Sequence, residues 1–397
     1  MAYKQLTKRT VSGLICAGAV GLGLLASNVA KTDDNTDASD LVSRIDLGRL
    51  KAWFGGGPIV TKANKDGWQP IHLAAEASKT ELVRRLLDAG VSVKAAQRKP
   101  DPKDVIAPEL ESGDLPLHCA ARSGSVETVQ LLLDAGANVD AMNRMGYAPL
   151  YSAVKAGKFA VVSVLLKAGA MPDKPYSLAE LSCGIRVETG LLTHVAAREG
   201  HLEILKLLMK TGCPLSASYE WHRGAEPERP IQLAVGNGHT DIVEFLLSRN
   251  GNSKKKTLYP EEMLTSLLCS AVEQNHAAAV ETLLDAGADP QGTQPFQVVW
   301  NEPIEDWQPI HYAAWNSHDG ATVKLLLESG ASPTATLSNG KQPLHLAARI
   351  EQSGAIRELL AAGALPTAKA KDGQTPIQVA QKAKRSEALK LLIPGNN

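Results

Sequence analysis

Residues 115–137 read LPLHCAARSGSVETVQLLLDAGA and contain the pattern from which the rest of the chain is built. The first half places apolar residues at helical spacing after Pro116, and proline suits the first turn of a helix because its missing N–H would be unpaired there. The second half continues the helical period up to Leu132, and Gly136 follows where helices commonly end in a left-handed residue. The stretch therefore predicts two short antiparallel helices joined by a turn at Gly124.

The same unit returns along the chain, as the spacing from His118 to Leu132 shows. This spacing is 14 residues, and at eight other places a residue in the His118 position precedes a leucine by 14 or 15 residues. The pairs are His72–Leu86, Tyr151–Leu165, His194–Leu208, Gln232–Leu246, Cys269–Leu283, His311–Leu326, His345–Leu359 and Gln378–Leu392. Only the pair that begins at His311 has the longer spacing, so nine copies of one helical unit are predicted.

Two short motifs mark most of the copies. A Pro-Leu-His-like sequence begins the first helix, as at residues 70–72, 343–345 and 376–378, and Gly-Ala follows the second helix, as at residues 169–170 and 287–288. In these motifs the sequence resembles the ankyrin repeat family, whose unit of about 33 residues is a β-turn followed by two helices. The resemblance covers roughly residues 60–395. It implies an all-α solenoid with β-turn fingers, about nine motif-bearing repeats and a degenerate N-terminal cap.

The first 30 residues have the three parts of a secretory signal peptide. A basic start precedes an apolar, glycine-rich run at residues 11–26, and small or polar residues follow it. The alternative is an uncleaved anchor formed by residues 11–30, because the apolar run approaches the ~20 residues that span a bilayer. Cleavage predicts a periplasmic or secreted protein, and retention predicts a membrane-anchored one.

The rest of the chain is expected to form one repeat domain. Residues 31–40 are acidic and polar, which is typical of a disordered spacer. Residues 41–397 form the repeat domain, whose degenerate copy at residues 41–62 would cap the stack. Uneven intervals between the motifs place five insertions in loops, and such insertions often collect on the binding face. The insertions span residues 98–112, 172–189, 214–228, 251–265 and 290–306.

One histidine recurs in most repeats, and its spacing argues against a metal site. Equivalent residues of stacked helices lie ~10 Å apart, whereas a metal ion holds its nitrogen ligands at about 2 Å. The resemblance instead implies that each imidazole hydrogen-bonds the turn backbone beside the helix start. These residues are His72, His118, His194, His311 and His345. We expect a structural role for them, with no metal ion and no cofactor.

The position before each helix-starting proline departs from the family pattern, in which threonine caps the helix. Only Thr375 and Ser266, which precedes Leu267 at the equivalent position of its repeat, retain a hydroxyl group there. The loss of a side-chain cap typically costs ~1 kcal/mol per helix. The repeats are therefore expected to be less stable than idealised ones.

Four cysteines follow the N-terminal segment. Cys119 and Cys269 occupy helix positions, where a buried cysteine behaves as a small apolar residue. Cys183 and Cys213 lie in loop regions on either side of one repeat, and in an oxidising compartment they could form a disulfide. Both states of this pair remain open at this point.

The sequence gives no sign of catalysis or of nucleic-acid binding. It contains no Gly-rich phosphate loop, no His-Glu-x-x-His, no Gly-x-Ser-x-Gly and no block of catalytic-domain size outside the repeats. Lys plus Arg equals Asp plus Glu at 42 each, so no global field attracts a polyanion. We therefore expect a monomeric, non-catalytic protein that binds another protein.

The resemblance also implies which residues contact a partner, because ankyrin repeats form a concave surface from their fingers and first helices. The fingers hold Trp68, Tyr147, Trp307 and Lys341, and the first helices hold Glu76, Arg122, Lys155, Arg198, Trp315 and Arg349. Tryptophan, tyrosine and arginine dominate interface energies, so Trp307 and Trp315 of one copy are expected to form a hot spot. The alternative for either tryptophan is packing against the insertion at residues 290–306.

Two other function classes remain open. A membrane-tethered scaffold would keep residues 1–30 in the mature protein. An inhibitor or immunity-type protein that acts on a toxin or an enzyme would have a single tight partner. The sequence does not identify that partner, because a fold does not specify what its surface recognises.

Overall fold

The computed structural model describes residues 68–95, 113–172, 191–215, 229–249, 259–293, 297–299, 302–304, 306–317 and 320–393. The predicted signal peptide or anchor, acidic spacer and N-terminal cap, at residues 1–62, lie outside these ranges. The contacts group the chain into two compact units, Met1–Pro149 and Leu150–Asn397.

The first unit contains two complete helical pairs in its described part. They are α1 (Pro70–Glu76) with α2 (Thr80–Asp88), and α3 (Pro116–Ser123) with α4 (Val126–Asp134). The two helices of each pair pack against each other, and the pairs stack because α1 packs on α3 and α2 packs on α4. First helices therefore form one layer and second helices form the other.

The second unit holds the remaining described pairs. Its first helix begins at Pro149, the last residue of the first unit. Its first helices are α5 (Pro149–Lys155), α7 (Leu191–Arg198), α9 (Pro230–Gly236), α11 (Glu261–Glu273), α13 (Pro309–Asn316), α15 (Pro343–Ile350) and α17 (Pro376–Lys382). Its second helices are α6 (Phe159–Lys167), α8 (Leu202–Lys210), α10 (Thr240–Ser248), α12 (Ala277–Asp285), α14 (Ala321–Glu328), α16 (Ser353–Ala361) and α18 (Ser386–Leu392). Both layers continue through contacts such as α13 on α15 and α14 on α16.

The nine predicted copies are confirmed as nine helical pairs within the described ranges. The leucines that define the spacing are all buried; they are Leu86, Leu132, Leu165, Leu208, Leu246, Leu283, Leu326, Leu359 and Leu392. The first helices bury small residues, such as Ala120 and Ala121, at their packed faces. Because alanine is small, neighbouring first helices approach closely, and the low aromatic content of 4% fits these thin layers.

One short hairpin adds to the all-α fold. Strands β1 (Gln297–Val299) and β2 (Glu302–Ile304) pair antiparallel, with Val298 opposite Pro303. They lie in the insertion that precedes α13. The fold class is all-α as predicted, and the hairpin belongs to an insertion whose structure the sequence patterns left open.

Helix α11 begins earlier than the repeat pattern predicts. Its first residue is Glu261, so Ser266, which retains a hydroxyl at the cap position of the repeat pattern, lies inside the helix and is exposed. The helix begins earlier because residues 261–265 contain no helix breaker, and two acidic residues at the start interact favourably with the positive end of the helix dipole. Thr375 does act as a cap, since its Oγ1 accepts the N–H of Gln378 at 3.3 Å.

Buried thiols fill helix positions in both units. Cys119 and Cys269 are buried, as predicted, and burial together with the charge of Glu273 raises the pKa of the Cys269 thiol to about 12. Cys213 is also buried, but Cys183 lies outside the described ranges, so their disulfide stays a prediction. Within the part of the chain that the structure describes, no helix combines the length and the apolar content that a bilayer crossing requires.

Candidate functional site

A histidine ties the start of a first helix to the turn of the next repeat. In α3, Nδ1 of His118 accepts the N–H of Leu115 at 3.2 Å, and Nε2 lies 2.9 Å from the carbonyl oxygen of Tyr147. A neutral imidazole that accepts at Nδ1 carries its proton at Nε2, so Nε2 donates to that carbonyl. His118 is the third residue of the helix, and its ring accepts the N–H of the residue before the helix, as a Glu or Gln side chain does in a capping box.

Three other histidines make the same pair of bonds. Nδ1 of each accepts the N–H of the residue before the proline at 3.2 or 3.3 Å, and Nε2 bonds one or two turn carbonyls. The partners are Ala95 and Asp114 for His72, Ala335 for His311 and Gln374 for His345. His194 is buried to the same degree. Among the described residues, no group of three or more His, Cys, Asp or Glu side chains is placed to hold a metal ion.

Burial keeps these rings neutral. Loss of hydration lowers the pKa of His72, His118 and His345, and it lowers the pKa of His311 to about 4. Only the neutral ring can accept at one nitrogen and donate at the other. The low pKa values therefore match the hydrogen bonds that hold the helix starts.

The fingers share one hydrogen-bonded turn. The N–H groups of Asn143, Leu337 and Ala370 donate to the carbonyl four residues later at 2.9 or 3.0 Å. Gly340 stands inside the second of these turns with a φ of 78°, which favours glycine. The backbone thus fixes the finger, and the tip side chains Tyr147 and Lys341 are half-buried.

Trp307 occupies the same tip position but is buried. Its side chain is 2% exposed, and its ring centroid lies 4.8 Å from that of Tyr312 and 6.1 Å from that of His311. So small an exposed area leaves little surface for a partner. Trp307 therefore packs against residues of its own repeat, and the alternative of packing against the insertion at residues 290–306 stays a prediction.

In the second unit, the last turn of several first helices is held by a side chain from the following repeat. Nε2 of His201 lies 3.3 Å from the carbonyl oxygen of Lys155, and Nε2 of His239 lies 2.8 Å from that of Arg198. Because a carbonyl oxygen only accepts, both rings donate. The last carbonyls of a helix have no partner within it, so these donors complete the helix ends.

The same arrangement recurs near the C-terminus with other donors. Nε2 of Gln352 donates to the carbonyl of Trp315 at 2.9 Å, and Nε of Arg385 donates to that of Arg349 at 2.9 Å. We call these four inter-repeat bonds the donor ladder; its donors are His201, His239, Gln352 and Arg385. The ladder fixes the backbone of four predicted contact residues, namely Lys155, Arg198, Trp315 and Arg349.

Glycines make room for the imidazoles of the ladder. A Cβ atom at Gly200 would lie 2.6 Å from Cε1 of His239, and Gly200 also has a φ of +80°. Gly157 stands in the same relation to His201. The repeat motifs did not predict a role for these histidines, although the adjacent Gly200 and His201 could have indicated a need for a small residue beside a ring.

The four residues on the ladder differ in exposure. Lys155 is exposed, whereas Arg198, Trp315 and Arg349 are half-buried. Arg198 also pairs with Glu199 at 3.0 Å. Basic side chains at these positions are favoured by the negative end of the helix dipole.

In the first unit, the predicted contact residues are bound to one another. Nε and Nη2 of Arg122 donate to the two carboxylate oxygens of Glu76 at 3.1 and 2.8 Å. Nη1 of Arg122 donates to Asp114 at 2.7 Å, and Nδ2 of Asn143 donates to the same carboxylate at 2.8 Å. The half-buried ring of Trp68 lies 5.9 Å from the guanidinium group. We call this group the Arg122 cluster.

Asp114 is the buried member of the Arg122 cluster. Its side chain is 3% exposed, whereas that of Arg122 is 37% exposed. Burial raises the pKa of the Asp114 carboxyl, but the charge and hydrogen bonds of Arg122 outweigh this effect and hold the pKa below its usual value. A buried carboxylate without a partner is strongly destabilising. Arg122 therefore has a structural role whether or not a partner contacts it.

Known proteins match the repeats of this chain. A family model described as "Ankyrin repeats (3 copies)" matches residues 46–143, 98–175, 193–294 and 305–397. Over 138 residues the chain is 30% identical to Ankyrin repeat and KH domain-containing protein mask-1 of Caenorhabditis elegans, covering 35% of this chain and 4% of that protein. Over 208 residues it is 27% identical to Ankyrin repeat and SOCS box protein 16 of Mus musculus, covering 44% of this chain and 43% of that protein.

A shorter match involves a smaller protein. Over 74 residues the chain is 36% identical to Cyclin-dependent kinase 4 inhibitor B of Rattus norvegicus, covering 19% of this chain and 53% of that protein. The chain thus spans about half the length of this relative and less than half the length of each of the other two. The family model, by contrast, covers most of the chain, and the helical pairs agree with it. The chain belongs to the ankyrin repeat family, whose repeats are protein–protein interaction modules.

Proposed function

We propose that the chain is a non-catalytic, exported ankyrin-repeat protein that binds a protein partner through the concave face of its repeats. The observation that carries the proposal is the donor ladder. It fixes the backbone of Lys155, Arg198, Trp315 and Arg349 by bonds to their carbonyls. Because these bonds use backbone carbonyls, the side chains at the four positions can vary to suit a binding partner without loss of the bonds.

A fixed backbone favours binding for a thermodynamic reason. Association costs conformational entropy when flexible groups become ordered, and this cost is smaller for a surface that is ordered before binding. Arginine and tryptophan are also the residue types most enriched at interface hot spots. We therefore assign the central contacts of the second unit to Arg198, Trp315 and Arg349, with Lys341 contributing from its finger. Tyr147 is the finger contact proposed for the first unit.

The exported location rests on the sequence of residues 1–30 alone. The intact mass of the protein from its native cells tests it, because cleavage would remove about thirty residues. A full-length mass in the membrane pellet would instead support the tethered scaffold. The loop insertions remain proposed contributors to the binding surface.

A second candidate function is inhibition of a single tight partner. The observation that favours it is the similarity to Cyclin-dependent kinase 4 inhibitor B, a relative named as an inhibitor. Under this alternative, the same concave face would bind one enzyme or toxin in a stoichiometric complex. An activity assay on the captured partner, with and without the chain, separates inhibition from simple binding.

The binding proposal is tested by affinity capture from the native envelope fraction with the full-length chain. The test variant is Trp315→Ala/Arg349→Ala, and the matched control is Lys324→Ala/Arg357→Ala, whose exposed side chains lie on α14 and α16 of the same two repeats. We expect one stoichiometric protein with the wild type and the control, and at least about tenfold less with the test variant. Equal recovery with both variants, or no captured protein, would contradict the proposal.

A further inference from the structure

An open cavity of about 480 Å³ lies between two fingers of the second unit. One wall is the finger before α15, with Leu337 and Gln342, and the other wall is the finger before α17, with Lys369 and Lys371. The N–H of Lys371 donates to the carbonyl of Asn339 at 3.1 Å, so the two fingers are joined. This bond makes the cavity a fixed feature of neighbouring repeats.

The joint between the fingers depends on a glycine. Gly340 has a φ of +78°, and a Cβ atom there would lie 2.7 Å from the backbone nitrogen of Lys371. The close approach holds the lysine wall against the Gln342 wall. The cavity is therefore set by backbone contacts.

Two buried side-chain atoms of the first wall and its turn have no hydrogen-bond partner among the residues that the structure describes. They are Oε1 of Gln342, whose residue lines the cavity, and Nδ2 of Asn339, which lies between two lining residues in sequence. One atom accepts and the other donates. A buried polar group left without a partner is destabilising, and a peptide backbone offers both an N–H and a carbonyl.

The charge of the lining is uneven. Lys369 and Lys371 are exposed on one wall, and Asp306 is the only acidic residue among the described residues that line the cavity. The nearby carboxylate of Asp372 accepts the N–H of Gln374 at 3.0 Å within its own turn. Two ammonium groups therefore face the cavity against one carboxylate.

We propose that this cavity takes an extended, acidic segment of the partner protein, a proposal that rests on the protein-binding function above. Acidic side chains of the segment pair with Lys369 and Lys371. Its backbone N–H groups bond to Oε1 of Gln342, which is buried in the free chain and becomes available when that side chain rotates towards the cavity. A phosphodiester backbone has no N–H group to donate to this oxygen. The cavity thus selects an acidic peptide over a nucleic acid.

The test uses the full-length chain and a labelled peptide that alternates aspartate with valine, followed by fluorescence polarisation. We expect the aspartate peptide to bind at least about fivefold more tightly than its asparagine counterpart, and binding to weaken as salt rises. Equal binding of the two peptides, or no binding up to about 1 mM protein, would overturn the proposal. Displacement of the aspartate peptide by a single-stranded oligonucleotide would overturn it in favour of a phosphate ligand.

Two charge-matched variants locate the site. Lys369→Glu/Lys371→Glu should weaken aspartate-peptide binding by about tenfold, because two attractions become repulsions. The control Lys324→Glu/Lys390→Glu makes the same change of net charge on the second helices α14 and α18, and it should bind as the wild type does. Equal losses in both variants, with folding verified by circular dichroism, would contradict the site. Capture of a partner without peptide binding would overturn this inference alone, whereas peptide binding without any captured partner would overturn the proposed function.

Discussion

The two units hold their predicted contact residues in different ways. In the first unit, Glu76 and Arg122 bond through their charged side chains to each other and, for Arg122, to the buried Asp114. In the second unit, the backbone carbonyls of residues such as Arg198 and Trp315 accept bonds from the following repeat. The same position in the repeat is thus tied to the scaffold by its side chain in one unit and by its main chain in the other.

The difference teaches where this fold can vary its surface. A position held through its carbonyl keeps its place whatever side chain it carries, because every residue has a carbonyl. A position held through a buried ion pair loses stability when the side chain changes. Substitutions in the first unit should therefore act on stability, and equivalent substitutions in the second unit should act on binding.

The largest expected effect concerns the two tryptophans of one repeat in the second unit. Trp307→Ala should lower the free energy of unfolding by about 3–5 kcal/mol, because a large buried side chain is removed. Trp315→Ala should lower it by about 1 kcal/mol, since that side chain is half-buried and its carbonyl bond survives. Urea denaturation followed by circular dichroism measures both, and similar losses would contradict the placement of Trp307.

The next largest effect on the free energy of unfolding is expected in the Arg122 cluster, where matched arginine substitutions can be compared between the two units. Arg122→Ala should cost about 2–4 kcal/mol, because it leaves Asp114 buried without its cation, although the exposure of Arg122 moderates the loss. The matched change Arg349→Ala in the second unit should cost less than about 1 kcal/mol, since Arg349 accepts the ladder bond through its carbonyl.

A double-mutant cycle serves as the control for the Arg122 cluster. Asp114→Asn combined with Arg122→Ala should cost clearly less than the two single changes added together, because the charge that needs Arg122 is gone. Additive losses would mean that the two residues do not depend on each other.

The donor ladder predicts a smaller loss at its glycines. Gly200→Ala should cost about 2–3 kcal/mol, from a left-handed backbone and from displacement of His239 from the carbonyl of Arg198. Gly169→Ala has a similar φ but no atom within 4 Å of the added Cβ, so it should cost only about 1–2 kcal/mol. Thermal unfolding of the two variants in parallel gives the difference. Identical costs would show that the ring of His239 does not need the space.

The smallest effect is on pH dependence, and it applies to both units. His311 has a folded-state pKa of about 4 against 6.5 when unfolded, so the unfolded chain binds more protons between these values. The stability that the neutral ring gives is complete above pH 6.5 and is lost as the pH falls towards 4. His311→Gln keeps an acceptor at the helix start, as Gln232 does, but removes this titration.

The measurement for His311 is the urea midpoint at pH 7 and pH 5. The gap in stability between the wild type and His311→Gln should narrow by about 1–2 kcal/mol at the lower pH. An unchanged gap would contradict a neutral ring in the folded protein.

Much of the fold could be predicted from the sequence because its signals are local. A proline at the helix start, a leucine at fixed spacing and a glycine after the second helix each act within one repeat, and all nine pairs follow from them. The early start of α11 does not follow from that pattern, because the pattern fixes only the residues that the copies share and places the helix start near residue 267. The absence of a helix breaker in residues 261–265 lets the helix begin earlier.

The contacts of the candidate site were harder to predict from the sequence, because they join residues that are far apart in the chain. Arg122 meets Glu76, which lies 46 residues earlier, and no spacing rule announces that pair. Trp307 shares a sequence position with the half-buried tips Tyr147 and Lys341, but packing against Tyr312 and His311 buries it. The carbonyls of the donor ladder belong to residues that the family resemblance selected as partner contacts. The ladder bonds could not be predicted from those residues, because any residue type has a backbone carbonyl.

The most direct test of the account is titration calorimetry of the captured partner against the wild type and Trp315→Ala, with thermal unfolding recorded in the same buffer. The account predicts a loss of about 2 kcal/mol in binding free energy, which is about a thirtyfold rise in Kd, while the free energy of unfolding falls by only about 1 kcal/mol. An unchanged Kd would contradict the assignment of binding to the first-helix ends of the second unit.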